Sequence, residues 1–208
     1  MDIDSYQVRA EIIHYAQLAA EFDLVPNTQG NISVRDPESD LVLITPHDMP
    51  YGTMTPDDLA VVDLYGNKVS GRRDSSFETP VHCALYRARP DLHALVHTEP
   101  VYVNVLGVLG KPIEPVVVAL LVNLGGAVPI MPYMPSGTDA FGQEMVRVMG
   151  DGFGVVWANH GLLTAGKTVD EAFRRSIIVE HAARIYHLAL LHGAPALVTH
   201  EQHGGGLA

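Results

Sequence analysis

The residues with the clearest chemical use are His97 and Glu99, which follow the apolar run Ala94-Leu95-Val96. If this run is a β-strand, both side chains lie on one face, because alternate residues of a strand point to the same side. An imidazole and a carboxylate that converge on one point are suitable ligands for a divalent metal ion. A second interpretation stays open, in which Glu99 only interacts with the N-terminus of the helix that Pro100 begins.

The second candidate is His160, in the turn Asn159-His160-Gly161 after the apolar run Val155-Val156-Trp157. A histidine in a turn between two strands is held at the end of a sheet rather than packed in its interior. It is therefore available to a ligand. The alternative is a turn residue whose ring only hydrogen-bonds to the backbone.

Two polar segments add further candidates. Glu78 precedes the helix that Thr79 and Pro80 begin, and without context an anion that interacts with the helix N-terminus is the favoured interpretation. Gly30 and Asn31 can expose backbone N–H groups that receive an anion, although an ordinary turn uses the same residue types.

These residues must be positioned by alternating helices and strands. Apolar spacing, capping residues and prolines predict helices at residues 5–22 (with Asp4 as the cap), 80–89, 100–109, 139–149 and 169–192, and one helical turn at 55–58. Short apolar runs predict strands at 41–44, 60–64, 67–70, 93–99, 155–158 and 162–164, and residues 27–33 are predicted as a loop. Short, hairpin-like strands favour an α/β fold with a mixed, largely antiparallel central sheet covered by helices.

The composition excludes several classes of site and partner. The formal net charge is -11, so the chain has no bulk field that attracts phosphate backbones, and we expect no nucleic-acid partner. A single cysteine, Cys83, excludes an intramolecular disulfide and a zinc site built from several cysteines. Eleven histidines accompany it. Any bound metal must therefore be held by imidazole and carboxylate groups.

The chain also lacks the signals of a membrane or secreted protein. The longest apolar candidate, at 116–128, falls short of the roughly 18 residues of a membrane span and is interrupted by Asn123 and Gly125-Gly126. The acidic N-terminal segment does not resemble a signal peptide. We expect a cytoplasmic protein with no membrane partner. It forms one domain at residues 1–194, followed by a flexible tail at 195–208.

In combination, these segments resemble the class II aldolase/adducin family, which includes fuculose-1-phosphate aldolases. The resemblance extends from about residue 6 to residue 192. The matching segments are Gly30-Asn31-Ile32-Ser33, Leu43-Ile44-Thr45-Pro46, residues 59–66, Glu78-Thr79-Pro80-Val81-His82, Tyr86-Arg87-Ala88-Arg89-Pro90-Asp91, residues 94–100 and Asn159-His160-Gly161-Leu162.

The resemblance implies a metal centre and a substrate cleft. It implies that His97, Glu99 and His160 bind a divalent metal, with zinc as the first expectation and manganese or iron as alternatives. It assigns Glu78 the role of general acid/base. The remaining matching positions would bind the small-molecule substrate, and they are Gly30, Asn31, Thr45, His47 and Ser76. Family members form homotetramers with sites near subunit boundaries, and we expect the same here.

Three positions depart from the family pattern. Glu99 stands where the family has a second histidine, and its charge should make the metal a weaker Lewis acid. His47-Asp48 replaces the small residue and glycine of a phosphate-binding turn, and Phe77 replaces a serine. An aspartate beside a phosphate dianion is repulsive. These departures argue against a phosphorylated substrate, or they move the position of its phosphate.

The resemblance therefore implies a metal-dependent lyase that cleaves a C–C bond through an enediolate. An aldolase acting on a hydroxy-ketone or sugar-type substrate is the first expectation, and a decarboxylase of a hydroxy or aromatic acid is the main alternative. An epimerase, an iron-dependent oxygenase and a noncatalytic module like the adducin head are lesser alternatives. In this mechanism Glu78 moves the proton, with a pKa raised by Phe77 and the pocket.

Overall fold

The centre of the protein is one sheet, seen in a computed structural model that describes residue 3 and residues 5–204. Within these residues eight strands pair in the order β4-β3-β2-β1-β5-β8-β7-β6. The strands are β1 (Asn31–Arg35), β2 (Val42–Ile44), β3 (Ala60–Val62), β4 (Lys68–Ser70), β5 (Ala94–Thr98), β6 (Ile130–Met131), β7 (Gly154–Trp157) and β8 (Gly161–Gly166). Only β6 and β7 pair in parallel. The expected mixed, largely antiparallel sheet is confirmed.

Helices cover both faces of this sheet. They are α1 (Tyr6–Glu21), α2 (Thr79–Ala88), α3 (Val101–Val108), α4 (Val118–Leu124), α5 (Asp139–Met149) and α6 (Val169–Leu190), with 3₁₀ turns at Tyr51–Thr53 and Pro56–Asp58. Alternate residues of β5 face opposite layers: Val96 packs in the cluster that contains Phe173 of α6, and Leu95 packs in the cluster that contains Met145 of α5. Because both faces are covered, every residue of β1, β5 and β8 is buried, including the polar residues that these strands carry.

The predicted elements agree with the observed ones to within two residues at each end. Three differences remain. Residues 27–33 are not all loop, because β1 begins at Asn31, where it pairs with His97 of β5. The predicted cap Asp4 lies outside the described residues, and the Ser5 hydroxyl accepts the Val8 N–H at 3.5 Å. Helix α4 was not predicted, because the 116–128 run has neither helical nor alternating spacing, and β6 was not predicted because two residues are too few to show a strand pattern.

Two further findings concern membrane-spanning helices and the predicted C-terminal tail. No helix among the described residues is long and apolar enough to cross a membrane. The described part of the predicted tail, 195–204, has neither helix nor strand, but Val198 donates its N–H to Pro115 at 2.8 Å. The flexibility of this tail stays a prediction.

Candidate functional site

A cleft of about 310 Å³ opens where β1 begins and β5 ends. We call Glu78, His97, Glu99 and His160 its inner end, because Glu78 and His97 are only 6% and 1% exposed. We call Thr28, His47, Asp48 and Phe77 its outer end, since all but the half-buried Thr28 are exposed. The sheet thus gathers the four inner residues from three separate parts of the chain.

His97 is fixed in a single orientation by its surroundings. Its Nδ1 lies 3.0 Å from the Leu162 carbonyl oxygen, and its ring stacks on Trp157 with 4.4 Å between centroids. A carbonyl oxygen can only accept, so Nδ1 carries the proton and Nε2 presents its lone pair to the cleft. This is how a histidine is prepared to bind a metal ion.

The inner side chains point their ligand atoms at one another. The nitrogens His97 Nε2 and His160 Nε2 each lie 3.3 Å from a carboxylate oxygen of Glu78. Oε1 of Glu99 lies 3.9 Å from His97 Nε2 and 3.7 Å from His160 Nε2. Ligands about 2.0–2.1 Å from a tetrahedral zinc are spaced about 3.3 Å apart. The spacing of Glu78, His97 and His160 therefore fits a divalent metal ion, and Glu99 lies slightly farther from the two histidines.

Two glycines permit this close approach. A Cβ at Gly161 would lie 2.5 Å from the Thr98 carbonyl oxygen and 2.9 Å from His97 Cε1. Gly30 has φ +82°, and a Cβ there would lie 2.8 Å from the His97 carbonyl oxygen. Any larger residue at either position would push apart the backbone around His97.

Glu78 is held by one neighbour on β1 and by one on its own segment. Asn31 donates its side-chain amide to Oε2 of Glu78 at 2.8 Å, and the Glu78 N–H donates to the Ser76 hydroxyl at 3.2 Å. Burial raises the pKa of Glu78, but its electrostatic interactions with His97 and His160 and the Asn31 hydrogen bond outweigh burial and hold that pKa below its ordinary value. The predicted upward shift is therefore wrong in direction, because β1, β5 and the turn between β7 and β8 bring stabilising partners that the sequence does not reveal.

The pKa values of Glu99 and His160 are also shifted from their ordinary values. Burial, with the negative charge of Glu78, raises the pKa of Glu99, although His97 opposes this. Burial lowers the pKa of His160 to about 4, and the nearby His97 lowers it further. His160 is therefore neutral near pH 7, as a metal-binding histidine must be.

The cleft includes four of the five predicted substrate residues, namely Gly30, Asn31, His47 and Ser76. Thr45 is the exception. It is fully buried, and its hydroxyl accepts the Ile32 N–H at 3.1 Å. Its role is to hold β1 against the segment that follows β2, so the expectation that it contacts substrate is not met by its position.

Sequence reasoning missed a polar network beneath the inner end. His82 is fully buried, and its Nδ1 lies 2.7 Å from the Ser33 hydroxyl, which lies 2.8 Å from the Tyr86 hydroxyl. Burial lowers the pKa of His82 to about 3. The sequence did contain a signal for this network. His82 follows Glu78 by four residues, and this spacing places both on one side of the start of α2.

Comparison with known proteins identifies the family. Residues 10–187 match the model described as the class II aldolase and adducin N-terminal domain. The chain belongs to this family. The predicted resemblance and fold are thereby confirmed, and the two histidines and two carboxylates described above lie within the matched segment.

Proteins similar to this chain are named as aldolases. The chain is 32% identical over 194 residues to the 5-deoxy-D-ribulose 1-phosphate aldolase of Bacillus thuringiensis serovar kurstaki, covering 93% of this chain and 91% of the relative. It is 29% identical over 176 residues to the L-fuculose phosphate aldolase of Escherichia coli, covering 84% and 80%. A solved L-fuculose 1-phosphate aldolase superposes with a TM-score of 0.91 at 32% identity, covering 95% and 93%. This class II aldolase family member is therefore a carbon–carbon lyase.

Proposed function

We propose that this enzyme is a metal-dependent aldolase that cleaves a hydroxy-ketone or sugar-type substrate. The observation that carries the proposal is the convergence of two imidazole nitrogens and two carboxylates on one point of the cleft. The names of the relatives, both aldolases of sugar-type phosphates, favour aldol cleavage over decarboxylation.

Class II aldolases use a divalent metal, and Glu78, His97 and His160 lie close enough together to hold one. We assign His97, Glu99 and His160 as its ligands, with zinc as the metal and manganese or iron as alternatives. When bound, a divalent cation supplies Lewis-acid polarisation of a substrate carbonyl. Glu78 is near enough to share the centre, but Asn31 holds one of its oxygens, which suits a residue that also handles protons.

Glu78 is the group that moves the proton. Its lowered pKa keeps it as a carboxylate near pH 7, so it can accept the proton of the substrate hydroxyl as the C–C bond breaks. The bonding electrons remain on the carbon next to the ketone, and Glu78 can return the proton to that carbon. The products are an aldehyde and a smaller hydroxy-ketone.

We also propose a homotetramer and a cytoplasmic location. An exposed apolar face of α3 adjoins the inner end, with Val101 and Val108 63% and 62% exposed, and burial against another subunit would remove this face from water. The location rests on the composition alone. Light scattering in solution tests the oligomer.

The test of the proposed activity is cleavage of a panel of ketoses and ketose 1-phosphates by metal-stripped and zinc-, manganese- or iron-reloaded protein. We expect aldehyde release that is lost on stripping and restored by at least one metal. Activity that survives complete metal removal, or no cleavage with any metal and any panel member, would contradict the proposal.

A further inference from the structure

The outer end of the cleft has a chemical character that the proposed function does not explain. Thr28, His47, Asp48 and Phe77 lie there, beyond the atoms that would touch metal and reacting carbons. Whatever part of the substrate reaches them does not react. Its recognition therefore determines which substrate the enzyme selects, and the inference below rests on the proposed aldolase function.

The outer end is rich in acceptors. The Thr28 hydroxyl donates to Oδ1 of Asp48 at 2.9 Å, so this donor is already used, and the second carboxylate oxygen of Asp48 remains available. Deeper in the cleft, the Asn31 amide is used by Glu78 in the same way. None of the described residues that line the cleft is a lysine or arginine. A ligand that carries hydroxyl groups can therefore donate to Asp48, while the side-chain donors left in the cleft are those of Gln29, His47 and Ser76.

An aromatic ring forms the facing wall. Phe77 immediately precedes Glu78 and is 61% exposed. Its ring lies against Gly137, where a Cβ would overlap the ring carbons, and Gly137 has φ +74°. The ring is thus seated on a backbone position that only glycine provides easily. An exposed aromatic face beside a carboxylate can pack on C–H groups while the carboxylate accepts hydroxyl protons.

We infer that the outer end binds a hydroxyl-bearing, unphosphorylated part of the substrate, with Asp48 as the acceptor and Phe77 as the apolar wall. A phosphate dianion there would meet the Asp48 carboxylate without an arginine or lysine to compensate it, and like charges at an interface oppose binding. His47 is the one imidazole at this end, and it lies next to Asp48 in the chain. Asp48 and Phe77 are therefore specificity-determining residues for this aldolase.

The test compares L-fuculose with L-fuculose 1-phosphate, and D-ribulose with D-ribulose 1-phosphate, as substrates of the zinc-loaded enzyme. We expect kcat/KM for the sugar to exceed that for its phosphate by at least about tenfold. Asp48→Asn should reduce this ratio about tenfold, mainly through KM for the phosphate. Asparagine tolerates the positive φ of 48° at this position, so the variant keeps the backbone unstrained.

Two further variants complete the design. Phe77→Ser should lower kcat/KM for the sugar more than kcat/KM for the phosphate. Asp151→Asn is the control, because it removes the same charge from an exposed turn outside the cleft and should leave the ratio unchanged. A wild-type preference for the phosphates overturns the inference, as does an equal change of the ratio in Asp48→Asn and Asp151→Asn.

A binding measurement separates this inference from the proposed function. Calorimetry of the zinc-loaded enzyme with dihydroxyacetone and dihydroxyacetone phosphate needs no turnover. Tighter binding of the unphosphorylated compound, with that preference reduced in Asp48→Asn, supports the inference even if no ketose is cleaved. Tighter binding of the phosphate, or binding of neither compound, overturns it.

Discussion

The inner and outer ends of the cleft are built in different ways. At the inner end, Glu78 and His97 are buried, and each is fixed by a hydrogen bond from or to a separate strand. At the outer end, His47, Asp48 and Phe77 are exposed and lie on connecting segments. Only His97 of the inner residues lies on a strand, but burial and hydrogen bonds to neighbouring strands fix the reacting groups, while exposed loops carry the groups that select a substrate.

This contrast explains where the chain departs from its family. Changes in loops are tolerated more readily than changes among packed strand residues. Two of the three departures, His47-Asp48 and Phe77, lie at the outer end, and the third, Glu99, lies at the inner end, where we propose it as a ligand in place of a histidine. The reaction class is thus retained while the substrate end of the cleft differs.

The largest expected effect is at Glu78. Glu78→Gln keeps an oxygen that accepts the Asn31 amide but loses the proton carrier, so we expect kcat to fall by about 10² to 10⁴ with metal content retained. Steady-state kinetics and elemental analysis of the same sample measure both. Activity within a few-fold of wild type would remove Glu78 from the proton-transfer role.

The next effect concerns the unusual ligand. Glu99→Ala should weaken zinc binding by about 100-fold or more, since loss of even an outer-shell partner costs 10–100-fold, whereas Glu99→His should retain binding. Competition with a fluorescent zinc chelator gives the dissociation constants. An alanine variant that binds zinc as tightly as wild type would show that Glu99 is not a ligand and that Glu78, His97 and His160 suffice.

The two ends also differ in how far the sequence predicted them. Strand alternation and turn position made His97, Glu99 and His160 candidates, because those patterns indicate which side chains reach one edge of a sheet, and the family resemblance implied that they act together. The sequence did not predict the buried position of Thr45 or the direction of the Glu78 pKa shift, because both depend on which strands are neighbours. That pairing, such as Asn31 opposite His97, is set by long-range contacts that local patterns do not encode.

A smaller effect is expected beneath the inner end, at His82. Its folded-state pKa of about 3 lies below its ordinary value of 6.5, so below pH 6.5 the unfolded chain binds a proton that the folded chain does not. Stability should therefore fall as the pH is lowered from 6.5 towards 3, by up to about 1.4 kcal/mol per pH unit. Denaturant unfolding of metal-free protein at several pH values measures the slope.

His82→Gln serves as the comparison for this slope. It should show a shallower acid dependence by up to one proton, whatever its stability at pH 7. An unchanged slope in His82→Gln would contradict the assignment and point to other buried groups.

The smallest expected effect is on the stability contributed by the outer end. Phe77→Ala should change the free energy of unfolding by no more than about 0.5 kcal/mol, because the ring is exposed. Phe141→Ala is the matched control, and removal of its buried ring should lower the free energy of unfolding by about 3–5 kcal/mol. A loss of several kcal/mol in Phe77→Ala would mean that the outer end is part of the core.

The central claim is that the inner end of the cleft is a single divalent metal site. Calorimetric titration of the metal-stripped chain with Zn²⁺ tests it, alongside the double variant His97→Ala/His160→Ala, which retains the other nine of the eleven histidines. We predict one high-affinity site per chain in the wild type and none in the double variant. Equal stoichiometry and affinity in the two proteins would contradict the account.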